Sequence, residues 1–480
     1  MRWKKEAMTV GHSSRKARVK FWQVLRRRDL DKLHEDTMVV LEDVGVEVMH
    51  DEALALLAGA GASVDGRRAR IPRRMVEEAI KSAPKAAAVY DRDGRPAMKL
   101  SSGHVYFGTG SDVVWYDDPA AGRRMPTSRE SIAAITRLSD ALPNIDFVMS
   151  MGVAHGTPAG RLDQTHFALM VENTAKPIIF TSQSRASMAD IIAMATAVRG
   201  GPEALRGKPF CILYAMPTSP LLHTQEALDV VMLAARAGIP VIYVPGAICG
   251  GTGPVTIAGS AILGNAETLS GLVIHQLFAA GAPFVHGPIA SPLDMRTMVN
   301  LYNGPASMLA YAAGSELARR YRLPAFQIGG ASDSKVFDQQ AASEAAMSLM
   351  TAALTGGTII HDVGYLESGL QASPCLLTWC DEVIDQIRFM LRGVAVSDED
   401  DLVGAIRDVG PRGSFLTHES TLTRFRESLW EGRLHDARPF DQWAAGSADA
   451  LARARQRTLE ILATHQPKPL DADVRARLSR

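Results

Sequence analysis

The chain has 480 residues, of which 46% are hydrophobic and 22% are charged, a composition typical of a folded globular protein. Lys plus Arg number 52, and so do Asp plus Glu, so the formal net charge is zero. A neutral chain has no overall attraction to nucleic acid or to an anionic membrane, and we expect neither as a partner. The basic segment of residues 1–28 is interpreted as a solvated tail or an arm used between copies of a homo-oligomer.

The four cysteines are too few and too widely spaced for a disulfide framework or a zinc knuckle. They are Cys211, Cys249, Cys375 and Cys380, and none forms a CxxC pair. With no apolar signal segment at the N-terminus, the expected location is a reducing cytoplasm. The uncharged stretch 239–266 is interrupted by prolines and glycines, which favours a strand and a buried helix over a membrane span.

The first 100 residues are predicted to form a helical cap. Amphipathic patterns predict helices over 29–44, 51–59 and 72–83, the last with a proline at its start. Short strands are expected at 88–90 and 98–100, on either side of the turn at 91–94.

From residue 101 onward, short apolar segments alternate with helical patterns. Eight such segments occur, at 105–107, 147–149, 178–180, 210–214, 241–244, 284–285, 325–328 and 358–360. Apolar strands without polar alternation indicate a parallel sheet that is buried on both faces. Eight βα units predict a (β/α)8 TIM barrel over residues 101–394, followed by a C-terminal helical extension over 395–480. The alternative, a doubly wound sheet, lacks the GxGxxG turn of a dinucleotide site.

The active site of such a barrel lies at the C-terminal ends of its strands. Polar and aromatic candidates at or near these positions are Tyr106, Asp112, Tyr214, Tyr243, His286, Gln327, Asp333, Lys335, His361, Tyr365 and Glu367. Several tyrosine faces around the mouth could form a cage for a cation. No HExxH or His-x-Cys spacing is present, so no protein-bound metal is expected.

Three motifs resemble those of a known family. Residues 329–340, GGASDSKVFDQQ, resemble the GGxxDSKxxDxQ block of the trimethylamine methyltransferase family. Residues 353–357 (ALTGG) and 361–370 (HDVGYLESGL) are similar to its ALxGxxxxHxxGxLExGL segment. Residues 410–422, GPRGSFLTHESTL, resemble its GPxGxFLxHxxTL segment. The order and spacing agree, and the resemblance extends through most of the chain.

This resemblance implies a (β/α)8 barrel that transfers a methyl group from an amine to the cobalt of a corrinoid. The archaeal founding members contain pyrrolysine, and this sequence shows none. It therefore resembles the non-pyrrolysine branch, whose characterised members use quaternary amines such as glycine betaine. The chain lacks the DxHxxG pattern of corrinoid-binding domains, so the corrinoid is expected on a separate partner protein, with no cofactor permanently bound.

Within this resemblance, the candidate residues take specific roles. Asp112 is predicted to stabilise the ammonium, and His361 is predicted to hydrogen-bond the substrate. The other substrate-binding candidates are Tyr106, Tyr214, Tyr243, His286, Gln327 and Tyr365. The residues predicted to face the corrinoid are Asp333, Lys335 and Glu367.

Two other functions are compatible with the sequence. A Schiff-base lyase would use Lys335 as its nucleophile, and would need that side chain in an apolar pocket inside the barrel. A non-enzymatic protein that binds or senses quaternary amines would keep the cage without methyl transfer.

Overall fold

The structure is a computed structural model that describes residues 21–394, 396, 401, 403–446 and 448–478. The basic residues up to position 20, on which the predicted tail or oligomer arm depends, lie outside the described residues.

Eight parallel segments form a closed ring. Seven are strands: Tyr106–Phe107, Ile178–Phe180, Cys211–Ala215, Val241–Tyr243, Phe284–His286, Phe326–Ile328 and Ile359–His361. Residues 147–148 are the second segment, joined to its neighbours by single parallel bridges, and another bridge joins the sixth strand to the seventh. The eighth strand pairs with both the seventh and the first. The predicted (β/α)8 barrel is therefore confirmed.

Side chains along each barrel strand point alternately into the barrel and outward. The inward set forms one apolar cluster that includes Tyr106, Phe147, Ile212 and Phe326, with Tyr214 packed against it. Outward residues such as Tyr243 belong to a second cluster beneath the surrounding helices. This alternation decides which strand residues can reach a site inside the mouth.

Helices follow the barrel segments, as the alternation of patterns in the sequence predicted. They are Arg129–Ala141, Leu162–Asn173, Arg185–Arg199, Pro202–Gly207, Gln225–Ala237, Ile257–Phe278, Pro305–Tyr321, Gln339–Thr355 and Pro374–Leu391. Several begin at a side-chain cap, as where Ser128 accepts from the Ser131 N–H. Ile257–Phe278 is long and apolar enough to cross a membrane, but 78% of its most apolar window is buried inside the protein, as in a core helix.

The N-terminal part contains strands as well as the expected helices. Its helices are Arg27–Val39, Asp51–Gly59 and Arg73–Ser82, with a π turn at Val40–Val44. Three short strands, Val46–Val48, Ser63–Asp65 and Arg68–Arg70, form a sheet with Leu222–His223 of the barrel region. Strands of three residues are too short to show alternation, and the sequence analysis did not predict these three.

A hairpin closes the N-terminal end of the barrel. Its strands, Ala87–Tyr90 and Pro96–Leu100, pair in antiparallel fashion. Val89, Met98 and Leu100 add to the inward apolar cluster. The C-terminal end of the barrel strands is therefore left open for an active site.

Two small sheets are inserted in the loops at the opposite end. One contains Trp115–Asp118, Arg123–Pro126, Tyr365–Leu366 and Gln371–Ala372, and the other contains Gly246–Cys249, Ile289–Asp294 and Val299–Asn300. These insertions follow the first, fifth, sixth and eighth segments, so they build up the wall around the mouth.

The C-terminal extension is helical, with helices Gly404–Val409, Glu419–Ser428, Phe440–Ala444, Ala450–Thr464 and Ala472–Leu478. The fourth packs against Pro374–Leu391 and Arg129–Ala141 of the barrel. The loop before it is held by Glu382, which accepts from the backbone N–H groups of Arg433, Leu434 and His435. The domain boundaries at residues 100 and 394 stay predictions.

Candidate active site

Asp112 lies in the loop after the first strand, with a φ of 60° that non-glycine residues rarely adopt. The hydroxyls of Ser111 and Thr181 lie within hydrogen-bonding reach of its carboxylate. Its side chain keeps accessible surface, yet burial is the largest cause that raises its pKa, with Asp163 and Asp362 adding to the shift. A group that is accessible and yet surrounded by protein lies in a concave cavity rather than on a convex surface.

Asp362 is a second carboxylate, buried beneath this cavity. Its φ is 72°, again in the left-handed region. Oδ2 accepts a 2.5 Å hydrogen bond from the Tyr302 hydroxyl, and Oδ1 lies 2.7 Å from Nδ1 of His361. A Cβ atom on Gly110 would lie 1.9 Å from Asp362 Oδ1, so glycine is required for the first and eighth strands to meet here.

His361 points into the barrel but is itself almost fully buried. Its ring centroid lies 4.2 Å from that of Phe326 and 5.8 Å from that of Tyr214. The contact with Asp362 is not aligned as a hydrogen bond, and Nε2 has no partner among the described residues. His361 therefore supports Asp362 and the Tyr214 ring, and its direct contact with substrate stays a prediction.

Three tyrosines complete the wall around the two carboxylates. Tyr214 and Tyr302 are partly accessible, whereas Tyr365 is buried and donates to the Ser111 carbonyl. Burial raises the pKa of all three phenols, and the charge of Asp362 raises it further. The rings are therefore neutral and offer their faces beside a carboxylate, an arrangement suited to an organic cation.

Tyr243 and His286 do not reach this site. The Tyr243 hydroxyl lies 2.7 Å from His223 Nδ1, and His286 Nε2 lies 2.9 Å from Asn265 Oδ1, in both cases on the helix side of the barrel wall. Burial lowers the pKa of His286 to about 3. Their placement at the mouth was wrong, because their neighbours in each strand take the inward positions.

The predicted placement of Gln327 and Tyr106 at the substrate site was also wrong. Gln327 lies between inward-facing neighbours and donates outward to the Tyr311 carbonyl at 3.0 Å. Tyr106 does face inward, but at the wrong end: its hydroxyl accepts from the Lys99 N–H in the closing hairpin. Its ring is part of the barrel floor.

Asp333, in the most recognisable motif, organises the rim. Its carboxylate accepts from the N–H groups of Tyr302 and Asn303 at 3.0 and 3.2 Å, and from the Ser368 hydroxyl at 2.9 Å. These bonds place Tyr302 over Asp362. Asp333 is thus engaged within the protein, and its predicted contact with the corrinoid stays untested.

The loops that carry Lys335 and Glu367 are neighbours on the outside of the mouth, where the Glu367 N–H donates to the Ser334 carbonyl. Lys335 is exposed and donates to the Asp333 carbonyl at 2.9 Å, so it lacks the apolar pocket that a Schiff-base lysine needs. Glu367 pairs with Arg124 at 2.5 Å, and Arg124 lies 4.3 Å from the Trp115 ring centroid. Contact of either residue with a corrinoid stays a prediction.

Asp362 and Tyr302 are site residues that sequence reasoning did not select. Asp362 follows His361 directly, so its position in the motif was an available signal. Tyr302 comes after the inserted strands Ile289–Asp294 and Val299–Asn300, beyond the residues that directly follow the sixth strand. Its one signal was its place shortly before the helix that begins at Pro305.

Within the described ranges, no group of three or more His, Cys, Asp or Glu side chains is arranged to hold a metal ion. The polar groups of the mouth are carboxylates, phenols and one imidazole. Their chemistry is that of binding and orienting a cation.

The closed barrel and its acidic, aromatic mouth define the class of (β/α)8 barrel enzymes. The family model for trimethylamine methyltransferase matches residues 2–480, and the chain belongs to this family. It is therefore an enzyme of the methyltransferase class.

Named relatives cover nearly the whole chain. Trimethylamine methyltransferase MttB of Desulfitobacterium hafniense is 30% identical, covering 94% of this chain and 91% of its own. Glycine betaine methyltransferase of the same species is 28% identical, covering 95% and 96%. MttB2 of Methanosarcina mazei is 33% identical, covering 93% and 92%.

A solved structure supports the fold alone. The monomethylamine methyltransferase of Methanosarcina barkeri superposes with a TM-score of 0.52 at 14% identity, covering 77% of this chain and 78% of its own.

Proposed function

We propose that this protein transfers a methyl group from a small quaternary amine to the cobalt of a corrinoid held by a separate protein. The observation that carries the proposal is the accessible Asp112 carboxylate close to the Tyr214 ring, with Tyr302 bonded to the second carboxylate, Asp362. A carboxylate next to neutral aromatic faces attracts a quaternary ammonium. The names of the relatives support a methylated amine as the substrate.

The chemistry requires little acid–base assistance. A quaternary ammonium leaves as a neutral tertiary amine, so no proton has to be delivered to the leaving group. The corrinoid cobalt supplies the nucleophile. The chain's own groups hold the cation, orient one N–CH3 bond toward the opening and exclude water from the cavity.

An apolar rim supports docking of the acceptor protein at the mouth. Val255, Met295 and Met298 are 71%, 66% and 66% exposed, and they lie in the loops after the fifth and sixth strands. Val255 and Met295 both approach Gly250, so the two loops meet. Exposed apolar side chains grouped at one place are typical of a surface that a partner covers.

The C-terminal extension supports association between copies of the chain. Helices Gly404–Val409 and Glu419–Ser428 have no buried residues, and Leu416 and Leu422 are largely exposed. We therefore propose a homo-oligomer, which light scattering after size exclusion would test. The cysteines are all free and buried, which supports the proposed cytoplasmic location.

Methyl transfer can be tested directly with free cob(I)alamin as the acceptor. The purified full-length chain is incubated without oxygen with a panel of quaternary and tertiary amines. We expect one or more quaternary amines to give the demethylated amine by mass spectrometry, together with the matching change in corrinoid absorbance. Asp112→Asn should reduce this rate strongly, whereas the exposed Glu226→Gln should not. Saturable amine binding without any demethylation would contradict the proposal and favour a sensing protein.

A further inference from the structure

Two carboxylates lie close together at the mouth. The carboxylates of Asp112 and Asp362 both act on Tyr214 and on Tyr365. Asp362 itself contacts the Tyr302 hydroxyl and the His361 ring. No lysine or arginine appears among the groups that act on these two phenols within the described part of the chain. A bound substrate therefore meets negative charge and neutral rings.

Basic side chains near the strand ends are already engaged. Arg124 pairs with Glu367, and Arg185 pairs with Asp229 at 2.6 Å. Lys335 donates to a main-chain carbonyl within its own loop. A substrate carboxylate would have to break one of these contacts to gain a partner, because arginine or lysine is what holds such a group.

The charge count then decides which ammonium compounds fit. Two carboxylates, Asp112 and Asp362, lie at the mouth with one imidazole, His361, so the mouth carries an excess of acidic groups and negative charge. A monocation neutralises that charge. A zwitterion such as a betaine brings a second carboxylate into the same partly desolvated space, where like charges repel more strongly than in water.

We propose that the site selects quaternary ammonium compounds that carry no carboxylate, with hydrocarbon or hydroxyl substituents, and discriminates against betaines. This rests on the proposed function and narrows its substrate class. Discrimination arises from an unfavourable contact with the rejected ligand as much as from attraction to the accepted one.

Binding without any corrinoid tests the inference. Calorimetry on the full-length chain would compare choline, tetramethylammonium, glycine betaine and 3,3-dimethylbutan-1-ol, the neutral analogue of choline. We expect at least one of the two monocations to bind at least about tenfold more tightly than both other ligands. Equal or tighter binding of glycine betaine, or no saturable binding of either monocation, would overturn it.

A charge variant gives an independent measurement. Asp112→Asn should weaken binding of the preferred monocation by about tenfold or more while leaving glycine betaine binding unchanged or improved. Glu226→Gln removes the same charge from an exposed helix position and should alter neither. If both ligands weaken equally in a folded Asp112→Asn protein, charge is not the basis of selection. If that variant does not fold, the comparison of ligands on the unaltered chain still decides.

The same ligands in the transfer assay separate this inference from the proposed function. Monocations that bind but are never demethylated would contradict methyl transfer and leave the charge selection standing. Demethylation of glycine betaine with a kcat/KM equal to or above that of the monocations would support methyl transfer and contradict the charge selection.

Discussion

Asp112 and Asp362 share an unusual backbone conformation at the residue scale. Both have positive φ, which costs free energy for residues with a Cβ atom and persists only where the surroundings enforce it. Gly110 lets the two loops approach closely, and the hydroxyl of Tyr302 holds Asp362 from above. The strained backbone positions are therefore those of the two carboxylates at the candidate site.

The raised pKa of Asp112 predicts a pH dependence of binding. Only the ionised carboxylate attracts the ammonium, and burial raises its pKa above the ordinary value. Affinity should therefore be full at high pH and fall as the pH drops through this raised pKa. Calorimetry between about pH 8 and about pH 4 would measure it.

Controls for this dependence must separate Asp112 from its neighbours. Asp112→Asn should bind weakly with a much flatter profile, whereas His361→Gln should keep the dependence caused by Asp112. A wild-type affinity that stays constant over the range would contradict the assignment.

Tyr302→Phe should destabilise the protein while keeping the aromatic wall. The substitution removes the hydrogen bond to the buried Asp362 carboxylate, and a bond to a charged group contributes about 2 kcal/mol. Chemical denaturation should show a loss of this size in the free energy of unfolding. Tyr90→Phe, in the hairpin at the far end of the barrel, is the matched control. An unchanged stability in Tyr302→Phe would mean that the hydrogen bond contributes nothing.

At the element scale, each barrel strand presents alternate residues to the interior. In Cys211–Ala215 the side chain of Tyr214 points inward, and in Ile359–His361 that of His361 does. The same rule turns His286 and Gln327 outward. The strands could be located from their apolar composition, but segments of three residues have too little alternation to reveal their phase.

The helix Pro374–Leu391 holds the C-terminal extension through Glu382. Burial alone would raise the pKa of this carboxyl, but hydrogen bonds from His435 and from three backbone N–H groups outweigh it and lower the pKa below 4.5. A lowered pKa in the folded state means that the carboxylate stabilises the fold above the ordinary pKa. That contribution is lost as the pH falls through the lowered value.

Glu382→Ala should release the loop 433–435. Its N–H groups lose their shared acceptor, and each unpaired group costs about 1 to 3 kcal/mol if it stays buried. Limited proteolysis should cut this region faster than in the unaltered chain. Glu382→Gln, which keeps one acceptor oxygen, should be intermediate, and the exposed Glu460→Ala should be neutral. Equal cleavage of all variants would mean that the hydrogen bonds to Glu382 do not hold this loop.

At the scale of the whole molecule, closure of the barrel brings distant segments to one point. The first, fourth and eighth strands and the loop after the sixth supply Asp112, Tyr214, Asp362 and Tyr302. A chain with zero net charge thereby acquires a locally negative cavity. The proposed docking rim of Val255, Met295 and Met298 is formed by other residues than those around Asp112, so the proposed acceptor docking and substrate binding would use different side chains.

If so, the proposed acceptor docking can be impaired without loss of substrate binding. Met295→Asp should raise the KM for a corrinoid protein that serves as acceptor by about tenfold or more, because a charge is buried when the partner covers the rim. Quaternary ammonium binding and transfer to free cob(I)alamin should not change. A loss of free cob(I)alamin transfer would instead place Met295 in the substrate cavity. Met390→Asp, an exposed position on the last barrel helix, is the control.

The alternation of strands and helices, the barrel count and the family motifs all followed from the sequence, because local apolar patterns determine which segments become buried strands and amphipathic helices. The site followed only in part: Asp112, Tyr214, His361 and Tyr365 were selected from the sequence and lie together at the mouth, and their roles toward substrate stay predictions. Tyr302 and the role of Asp362 depended on contacts between residues far apart in the chain. Only the tertiary structure decided them, because the phase of short strands and the path of inserted loops are set by packing across the closed barrel.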